Sequence, residues 1–216
     1  MLRSVCPERL DTLPASSPDA QASRRDLRRI NQLMGNRRWL ERGLASQQTH
    51  DKMHLIEIGA GDGTLAKQIL RNICPDTYTA VDLAPQPQDW PEQATWHQAD
   101  LLTIDYQPKA THLIASLMLH HFEAPALEAI GTRIQNSNIQ TILACEPCRR
   151  SIHQTQLMAG KLIGFNHVTL HDGVVSVRAG FRANELPNAL NLRSDRWNYT
   201  IQETLMGAYR MIATRK

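Results

Sequence analysis

The sequence predicts an α/β fold: a doubly wound, mostly parallel seven-stranded sheet with a C-terminal antiparallel hairpin and an N-terminal helical cap. Three observations favour this class. Short apolar runs alternate with segments of helical periodicity, as in parallel sheets that are covered on both faces. A glycine-rich turn follows the first apolar run. The last two strand-like runs are joined by a connection so short that they must pair antiparallel.

The first half of the chain supplies the cap and four strands. The polar opening stretch predicts a flexible tail over residues 1–22, and apolar spacing over 24–46 predicts a helix or a helix pair interrupted near Gly35. "MHLIEIG" is the first strand, and the helix "TLAKQILRNIC" after it ends before Pro75. The next two strands are "TYTAVDLAP" and "ATWHQADLL", and "THLIASLMLHHF" contains the fourth.

The second half begins with a helix, "APALEAIGTRI", and the fifth strand, "IQTILACEP". Two further helices are predicted at "RSIHQTQLMAGKLIGF" and "VVSVRAGFRANELPNAL". The strands "RWNYTIQET" and "MGAYRMIATR" form the closing hairpin.

The composition predicts one soluble domain. With 216 residues and an apolar fraction of 42%, the chain can bury a single core. The opening residues lack the apolar segment of a secretory signal, and no stretch approaches the length of a transmembrane helix. The expected location is the cytoplasm, and no membrane partner is expected.

Four cysteines, Cys6, Cys74, Cys145 and Cys148, are too few for a disulfide framework in a chain of this size. Cys145 and Cys148 form a C-x-x-C pair, but no second pair or histidines at ligand spacing lie near them in sequence. We therefore expect reduced thiols that are buried or have no role in the chemistry, and predict no metal site.

The net charge of +3 is mild, yet seven arginines lie between Arg24 and Arg42. Such a run could bind nucleic acid or an anionic substrate. The favoured interpretation is a solvated helix face, with four apolar residues turned inward at helical spacing: Leu27, Ile30, Leu33 and Met34.

The glycine loop "GAGDG" follows the first strand at the position where parallel sheets bind ligands. Its glycines permit unusual backbone angles and leave room for a ligand. A dinucleotide would favour the spacing G-x-G-x-x-G with its pyrophosphate at the helix start. Here the spacing is G-x-G-x-G, and Glu57 would repel a pyrophosphate. A cationic ligand without phosphate fits better.

The segment "EIGAGDG" resembles the first motif of the class I (Rossmann-like) S-adenosylmethionine-dependent methyltransferases. Acids at the ends of the next two strands, Asp82 in "AVDLAP" and Asp100 in "HQADLL", match the same family. The resemblance implies that Glu57 binds the methionine amino group, Asp82 the ribose hydroxyls and Asp100 the adenine amine. It implies S-adenosylmethionine as cofactor and S-adenosylhomocysteine as product. The implied cofactor-binding residues are Glu57, Gly59, Ala60, Gly61, Gly63, Asp82, Leu83, Asp100, Leu101 and Ser116.

The resemblance also divides the chain. Residues 23–216 form a single methyltransferase domain: a helical cap at 23–48, a cofactor-binding core at 53–150, substrate-covering helices at 151–194 and the closing hairpin at 195–216. From the cap, Asn31 or Arg38 would reach the cofactor's carboxylate or the substrate.

The methyl acceptor should lie beyond the fourth strand, in "SLMLHHFEAP". The Asp/Asn-Pro-Pro-aromatic motif of nucleic-acid amino-methyltransferases is absent there, and the only Pro-Cys follows the fifth strand. Because an oxygen acceptor usually needs a base, His120 and His121 are candidates, although either could be structural. His171, beside Asp172, is a third candidate base, and Arg178 a candidate for substrate binding.

"HDGVVSVRAGF" and "DLRRINQLMGNRRWL" look similar to bacterial small-molecule methyltransferases associated with phenolic polyketide pathways. The predicted function is methyl transfer to a small molecule, at a hydroxyl of an aromatic or polyketide-like acceptor. An RNA methyltransferase using the arginine-rich helix and a non-catalytic cofactor-binding protein remain alternatives. The expected partner is a small-molecule substrate rather than nucleic acid, and the chain is expected to be a monomer or a homodimer.

Overall fold

A computed structural model describes residues 1–14, 16–47, 52–104 and 109–216. Residue 48, the last of the predicted cap, and residues 105–108 of the predicted core lie outside the described residues.

The described residues form seven strands and eight α-helices. The strands are β1 (His54–Ile58), β2 (Thr77–Asp82), β3 (Ala94–Gln98), β4 (His112–Ser116), β5 (Thr141–Pro147), β6 (Trp197–Glu203) and β7 (Ala208–Arg215). The helices are α1 (Arg9–Thr12), α2 (Pro18–Met34), α3 (Asn36–Ser46), α4 (Thr64–Asn72), α5 (Ala124–Gln135), α6 (Ser151–Ala159), α7 (His167–Ala179) and α8 (Glu185–Ala189). Two 3-10 turns cover Leu119–His121 and Gly160–Ile163.

All seven strands belong to one sheet in the order β3-β2-β1-β4-β5-β7-β6. β1 to β5 run parallel, and β7 pairs antiparallel with both β5 and β6. The predicted fold class is confirmed. Because the chain order reverses between β1 and β4, the crevice at the carboxyl ends of these strands is the expected ligand position in such a sheet.

Apolar side chains cover both faces of the sheet, as the mostly apolar strands predict. Ile56 and Ile142 pack in one core with side chains of α5 and α8, whereas Leu55 and Leu143 pack in the other with side chains of α3 and α4. Cys145 belongs to the second core, and Cys148 belongs to the first. The two thiols therefore lie in separate cores and do not form a shared ligand pair.

The predicted interruption near Gly35 is confirmed. Gly35 has φ 69° and ends α2, where its N–H donates to the carbonyls of Asn31 and Gln32 at 3.1 Å. This left-handed position favours glycine. The helix begins earlier than predicted, at Pro18, because Ser17 caps it by accepting from Ala20 N at 3.1 Å.

Residues 1–14, called here the N-terminal segment, pack on the domain and include the short helix α1. The prediction of a flexible tail at 1–22 is therefore wrong. Arg3 donates to the carbonyl of Ala179 at 2.8 Å and to that of Phe122 at 2.7 Å. The N–H groups of Arg9 and Leu10 donate to the Asp172 carboxylate at 2.9 Å. These contacts join positions far apart in sequence, so local pattern could not reveal them.

Two of the three buried residues of α2 are polar, and three of the apolar residues predicted to face inward, Leu27, Ile30 and Met34, are only half-buried. Ser23 and Asp26 are buried; Thr169 Oγ1 donates to Asp26 Oδ2 at 3.1 Å and lies 3.1 Å from the Ser23 hydroxyl. Leu33, which was predicted to face inward, is 64% exposed because α2 packs on α7 through this polar seam. Four arginines of the run are exposed, in line with a solvated face: Arg24, Arg25, Arg28 and Arg29.

The long helix predicted over 174–190 is interrupted. α7 ends at Ala179 and α8 begins at Glu185. Between them the N–H of Phe181 donates to the carbonyl of Pro147 at 2.9 Å, and a Cβ on Gly180 would lie 2.2 Å from that oxygen. The close approach of this loop to the end of β5 therefore breaks the helix. No helix of the described residues is both long and apolar enough to cross a membrane.

Candidate active site

The glycine loop, residues 59–63, joins β1 to α4 and has left-handed backbone at all three glycines. The φ angle is 70° at Gly59, 57° at Gly61 and 70° at Gly63, values that are costly for other residues. A Cβ built on Gly59 would lie 2.5 Å from Met118 Cγ, whereas one on Gly61 would meet none of the described atoms within 4 Å. Met118 thus closes one side of the loop, and the backbone at Gly61 faces open space.

Carboxylates follow the ends of β2 and β3 on the side of the glycine loop. Asp82 accepts from Gly61 N at 2.8 Å and from Ala84 N at 2.8 Å. The side chain of Leu83 is 67% exposed. Asp100 is exposed and accepts from Leu102 N at 2.9 Å.

Two apolar residues among the predicted cofactor contacts, Leu101 and Ala60, are buried. Leu101 is 2% exposed and packs in the core on the α5 side of the sheet. Its side chain therefore does not face the open surface beside Asp100. Ala60 is 6% exposed, so it would meet a ligand in the glycine loop mainly through its backbone.

Glu57 is a buried acid in the middle of the sheet. Its side chain accepts a hydrogen bond from the Tyr78 hydroxyl. Burial raises the pKa of Glu57 to about 8; the Tyr78 hydrogen bond opposes this rise, and the charges of Asp82 and Asp62 add to it. An adjacent cation would favour the ionised form.

A row of polar side chains crosses the same face of the sheet toward the hairpin. Ser116 pairs in register with Cys145, which pairs with Arg210. Arg210 donates to the carbonyl of Met34 at 2.7 Å and stacks 5.6 Å from the Trp39 ring of α3. The side chains of this row therefore lie between the carboxyl ends of the strands and the start of α3.

Asn36, at the start of α3, is 1% exposed, and neither polar atom of its amide has a hydrogen-bond partner among the described residues. The sequence pattern had pointed to Asn31 or Arg38 in this region. Asn36 is instead the polar side chain of the cap that is buried and unsatisfied, a costly state that a bound ligand would relieve.

The 3-10 turn Leu119–His121, called here the histidine turn, follows β4. Glu146 of β5 is fully buried and accepts from the N–H groups of Met118 at 3.2 Å and Leu119 at 2.9 Å. It also contacts Nδ1 of His120 at 2.7 Å. Met118 therefore contacts Glu146 through its backbone and the glycine loop through its side chain.

Glu8 of the N-terminal segment reaches the other side of His120. Its Oε1 lies 3.7 Å from His120 Nε2, and it accepts a hydrogen bond from the Ser176 hydroxyl of α7. Ligand atoms of Glu8, His120 and His121 all lie within 4.8 Å of one another. The chain thus brings together residues from its first ten positions, from the end of β4 and from α7.

The pKa values of the two adjacent histidines are shifted in opposite directions. Burial opposes protonation of His120, but its contacts with Glu146 and Glu8 outweigh burial and raise its pKa to about 9. Burial, reinforced by the charge of His120, lowers the pKa of His121. The two carboxylates that flank His120 therefore favour its protonated form.

Comparisons with known proteins point to one fold. A scan of protein-family models found no match, and neither did a search of curated protein sequences. Among solved structures, the plantazolicin methyltransferase BpumL with SAH is 12% identical, covers 93% of this chain and 91% of its own, and superposes with a TM-score of 0.69. The chain has the class I methyltransferase fold.

Two further structures with this methyltransferase fold match the chain. The pyocyanin biosynthetic protein PhzM is 14% identical, with a TM-score of 0.62, over 93% of this chain and 60% of its own. The methyltransferase domain of bacterial CtHen1-C is 15% identical, with a TM-score of 0.57, over 83% of this chain and 97% of its own.

In this structure, α7 lies against the N-terminal segment and the histidine turn. His171 Nδ1 contacts Asp172 at 2.8 Å, although adjacent residues seldom bond in this way. Asp172 is 2% exposed and fixed by the N–H groups of Arg9 and Leu10, which explains the contact. Arg178 is exposed near the end of α7.

The sequence analysis did not single out four residues that the structure places in the candidate site: Glu8, Asn36, Glu146 and Arg210. Glu146 had a usable signal, because an acid inside the apolar run "IQTILACEP" requires a partner when it is buried. Glu8 had none, since the Ser176 hydroxyl that fixes it is 168 positions away.

Proposed function

We propose that this protein is an S-adenosylmethionine-dependent methyltransferase that acts on a small molecule, at a hydroxyl of an aromatic or polyketide-like acceptor. One observation carries the proposal: the left-handed glycine loop opens at Gly61 among the carboxylates of Glu57, Asp82 and Asp100. An ammonium, a sulfonium and a ribose suit this acidic donor set, whereas a pyrophosphate would be repelled.

The residues of the site fit that cofactor. Glu57 would hold the methionine ammonium, and Asp82 would accept from the ribose hydroxyls. The exposed side chain of Leu83 would lie against adenine, with Asp100 accepting from the adenine amine. Asn36 and Arg210 supply donors on the α3 side, where the methionine carboxylate or an anionic part of the substrate would lie.

When bound, the cofactor supplies an activated methyl group: the acceptor oxygen forms a bond to the methyl carbon as the carbon–sulfur bond breaks, sulfur keeps the electron pair, and the hydroxyl proton is released. By aligning donor and acceptor, the protein can lower the activation barrier by several kcal/mol, with an upper limit of about 7–11 kcal/mol. Because both ring nitrogens of His120 face carboxylates, we assign it a positioning role.

His171 is the residue that we assign to take the acceptor proton. Its side chain is 39% exposed, and Asp172 engages Nδ1, which leaves Nε2 as the acceptor. The structural neighbours include a plantazolicin methyltransferase and a pyocyanin biosynthetic protein, which supports a natural-product acceptor.

Two measurements test the function. Calorimetry should detect binding of S-adenosylmethionine and S-adenosylhomocysteine but not of a nicotinamide dinucleotide. Labelled S-adenosylmethionine should transfer its methyl group to simple phenols or to an extract of small molecules. Binding without any transfer would identify a non-catalytic cofactor-binding protein, and transfer to RNA instead would overturn the small-molecule proposal.

A further inference from the structure

We propose that Glu8, His120 and His121 bind a divalent transition-metal ion, with Zn²⁺ as the best fit. The sequence predicted no metal site. The site lies beside the cofactor position and consists of one carboxylate from the N-terminal segment and two imidazoles from the histidine turn.

The geometry of the three side chains is close to that of a ligand set. Their ligand atoms lie within 4.8 Å of one another, and Glu8 Oε1 and His120 Nε2 are 3.7 Å apart. Two ligands at about 2.0–2.1 Å from a tetrahedral ion are separated by about 3.4 Å. A direct hydrogen bond between these atoms would bring them nearer than 3.2 Å. The observed separation is thus too long for such a bond and near the spacing that an ion needs.

Each of two ligands is oriented by a further side chain. Glu146 engages Nδ1 of His120 at 2.7 Å, so that Nε2 faces Glu8. The Ser176 hydroxyl donates to the Glu8 carboxylate. Metal-binding histidines usually donate their second nitrogen to a carboxylate, and metal-binding carboxylates are usually hydrogen-bonded in turn.

The charges of this region favour a divalent cation. Two carboxylates face His120, that of Glu146 at Nδ1 and that of Glu8 at Nε2. The Arg3 guanidinium donates to the backbone carbonyls of His120 and Phe122. A divalent ion on neutral imidazoles would balance both carboxylates that face His120.

The donor set selects the class of ion. Imidazole nitrogens suit Zn²⁺ and its neighbours in the first transition row, whereas Mg²⁺ and Ca²⁺ prefer oxygen ligands. Three protein ligands leave a coordination position open. The role of the ion depends on the proposed function: it would bind the acceptor hydroxyl near Met118 and lower the pKa of that hydroxyl. The binding of the ion itself does not depend on the proposed function.

The experiment uses the full chain without a histidine tag, treated with chelator and then titrated with Co²⁺, a visible-absorbing substitute for Zn²⁺. We expect one ion per chain, visible absorption bands of a nitrogen- and oxygen-ligated site, and displacement by Zn²⁺. Glu8→Gln and His121→Ala should each weaken binding by a factor on the order of ten or more. His167→Ala, which removes an exposed histidine of α7 (66% exposed side chain), should leave binding unchanged.

Cofactor titrations on the metal-free protein keep this proposal separate from the proposed function. Metal binding without cofactor binding would uphold the site and refute the methyltransferase. The metal site is overturned if Co²⁺ does not bind, or if Glu8→Gln and His121→Ala, shown to be folded by circular dichroism, bind it as tightly as the parent protein does.

Discussion

Asp82 shows how a single carboxylate can serve both the resting protein and a ligand. Its oxygens accept from the backbone of Gly61 and Ala84 at 2.8 Å each, which fixes the side chain beside the glycine loop. Each oxygen retains a lone pair that can accept from a ribose hydroxyl. The side chain is therefore oriented before the cofactor arrives.

Asp82→Ala should raise the dissociation constant of S-adenosylmethionine about tenfold or more, because hydrogen bonds to a charged group are worth about 1.5–3 kcal/mol. Calorimetry on the parent and the variant measures the change. Asp195→Ala is the control, since it removes an exposed aspartate paired with Arg193. Equal affinity of parent and Asp82→Ala would exclude this residue from the site.

His171→Ala should lower kcat about a hundredfold, the usual contribution of a general base. Cofactor affinity should not change, because the residue lies on α7 and not among the strand ends. Steady-state kinetics with the acceptor identified by the labelling assay provides the measurement. A fall in cofactor affinity with kcat intact would show that His171 has a binding role instead.

At the scale of elements, α1 depends on α7 for its stability. A helix of four residues cannot form alone, and Asp172 supplies the missing partner by accepting from the first two N–H groups of α1. Because α1 follows directly after Glu8, the position of that carboxylate depends on the same contact.

Asp172→Asn should loosen the N-terminal segment, since an amide nitrogen would face one of the two N–H donors. Trypsin should then cleave after Arg9 about tenfold faster, which corresponds to a loss of about 1.4 kcal/mol in local stability. The cleavage rate is followed by mass spectrometry, with Asp195→Asn as control. An unchanged rate at Arg9 would show that other contacts hold the segment.

The sequence predicted the strands and most helices because each is defined by residues adjacent to it: apolar runs, a left-handed glycine at Gly35, and prolines after strands. It also placed Asp82 and Asp100 at strand ends. It failed where long-range contacts decide the structure. Glu8 lies in a stretch without apolar periodicity, and α7 ends early because Gly180 approaches the end of β5.

At the scale of the whole molecule, Glu57 makes stability depend on pH. Its pKa is about 8 in the folded protein, against an ordinary value of 4.5, mainly because it is buried. As pH rises through this window, the unfolded chain loses its proton first. The contribution of Glu57 to stability is thus full below pH 4.5 and declines up to pH 8.

The thermal midpoint of the protein without cofactor should therefore fall between pH 5 and pH 8, and Glu57→Gln should reduce this fall. Glutamine is neutral at every pH, and its carbonyl can still accept from the Tyr78 hydroxyl. Differential scanning calorimetry over this range measures both slopes. If the variant keeps the full slope, another group is responsible.

The same titration should couple cofactor binding to proton release. Near pH 7 Glu57 is mostly protonated, and a bound ammonium would draw off its proton. Calorimetric heats in buffers of different ionisation enthalpy should reveal the released proton in the parent protein and none from this position in Glu57→Gln. Identical proton release in both proteins would contradict the coupling.

The N-terminal segment contacts residues that are far from it in sequence, and this separation has a consequence for biosynthesis. On the ribosome, β1 to β3 and the glycine loop can assemble soon after residue 100 emerges, because their partners are close in sequence. Glu8 is translated before β1 but must wait for Ser176 and Asp172 of α7 before it has a fixed position. The half of the protein that contains the glycine loop can thus fold during translation, whereas the contacts of Glu8 are completed among the last events.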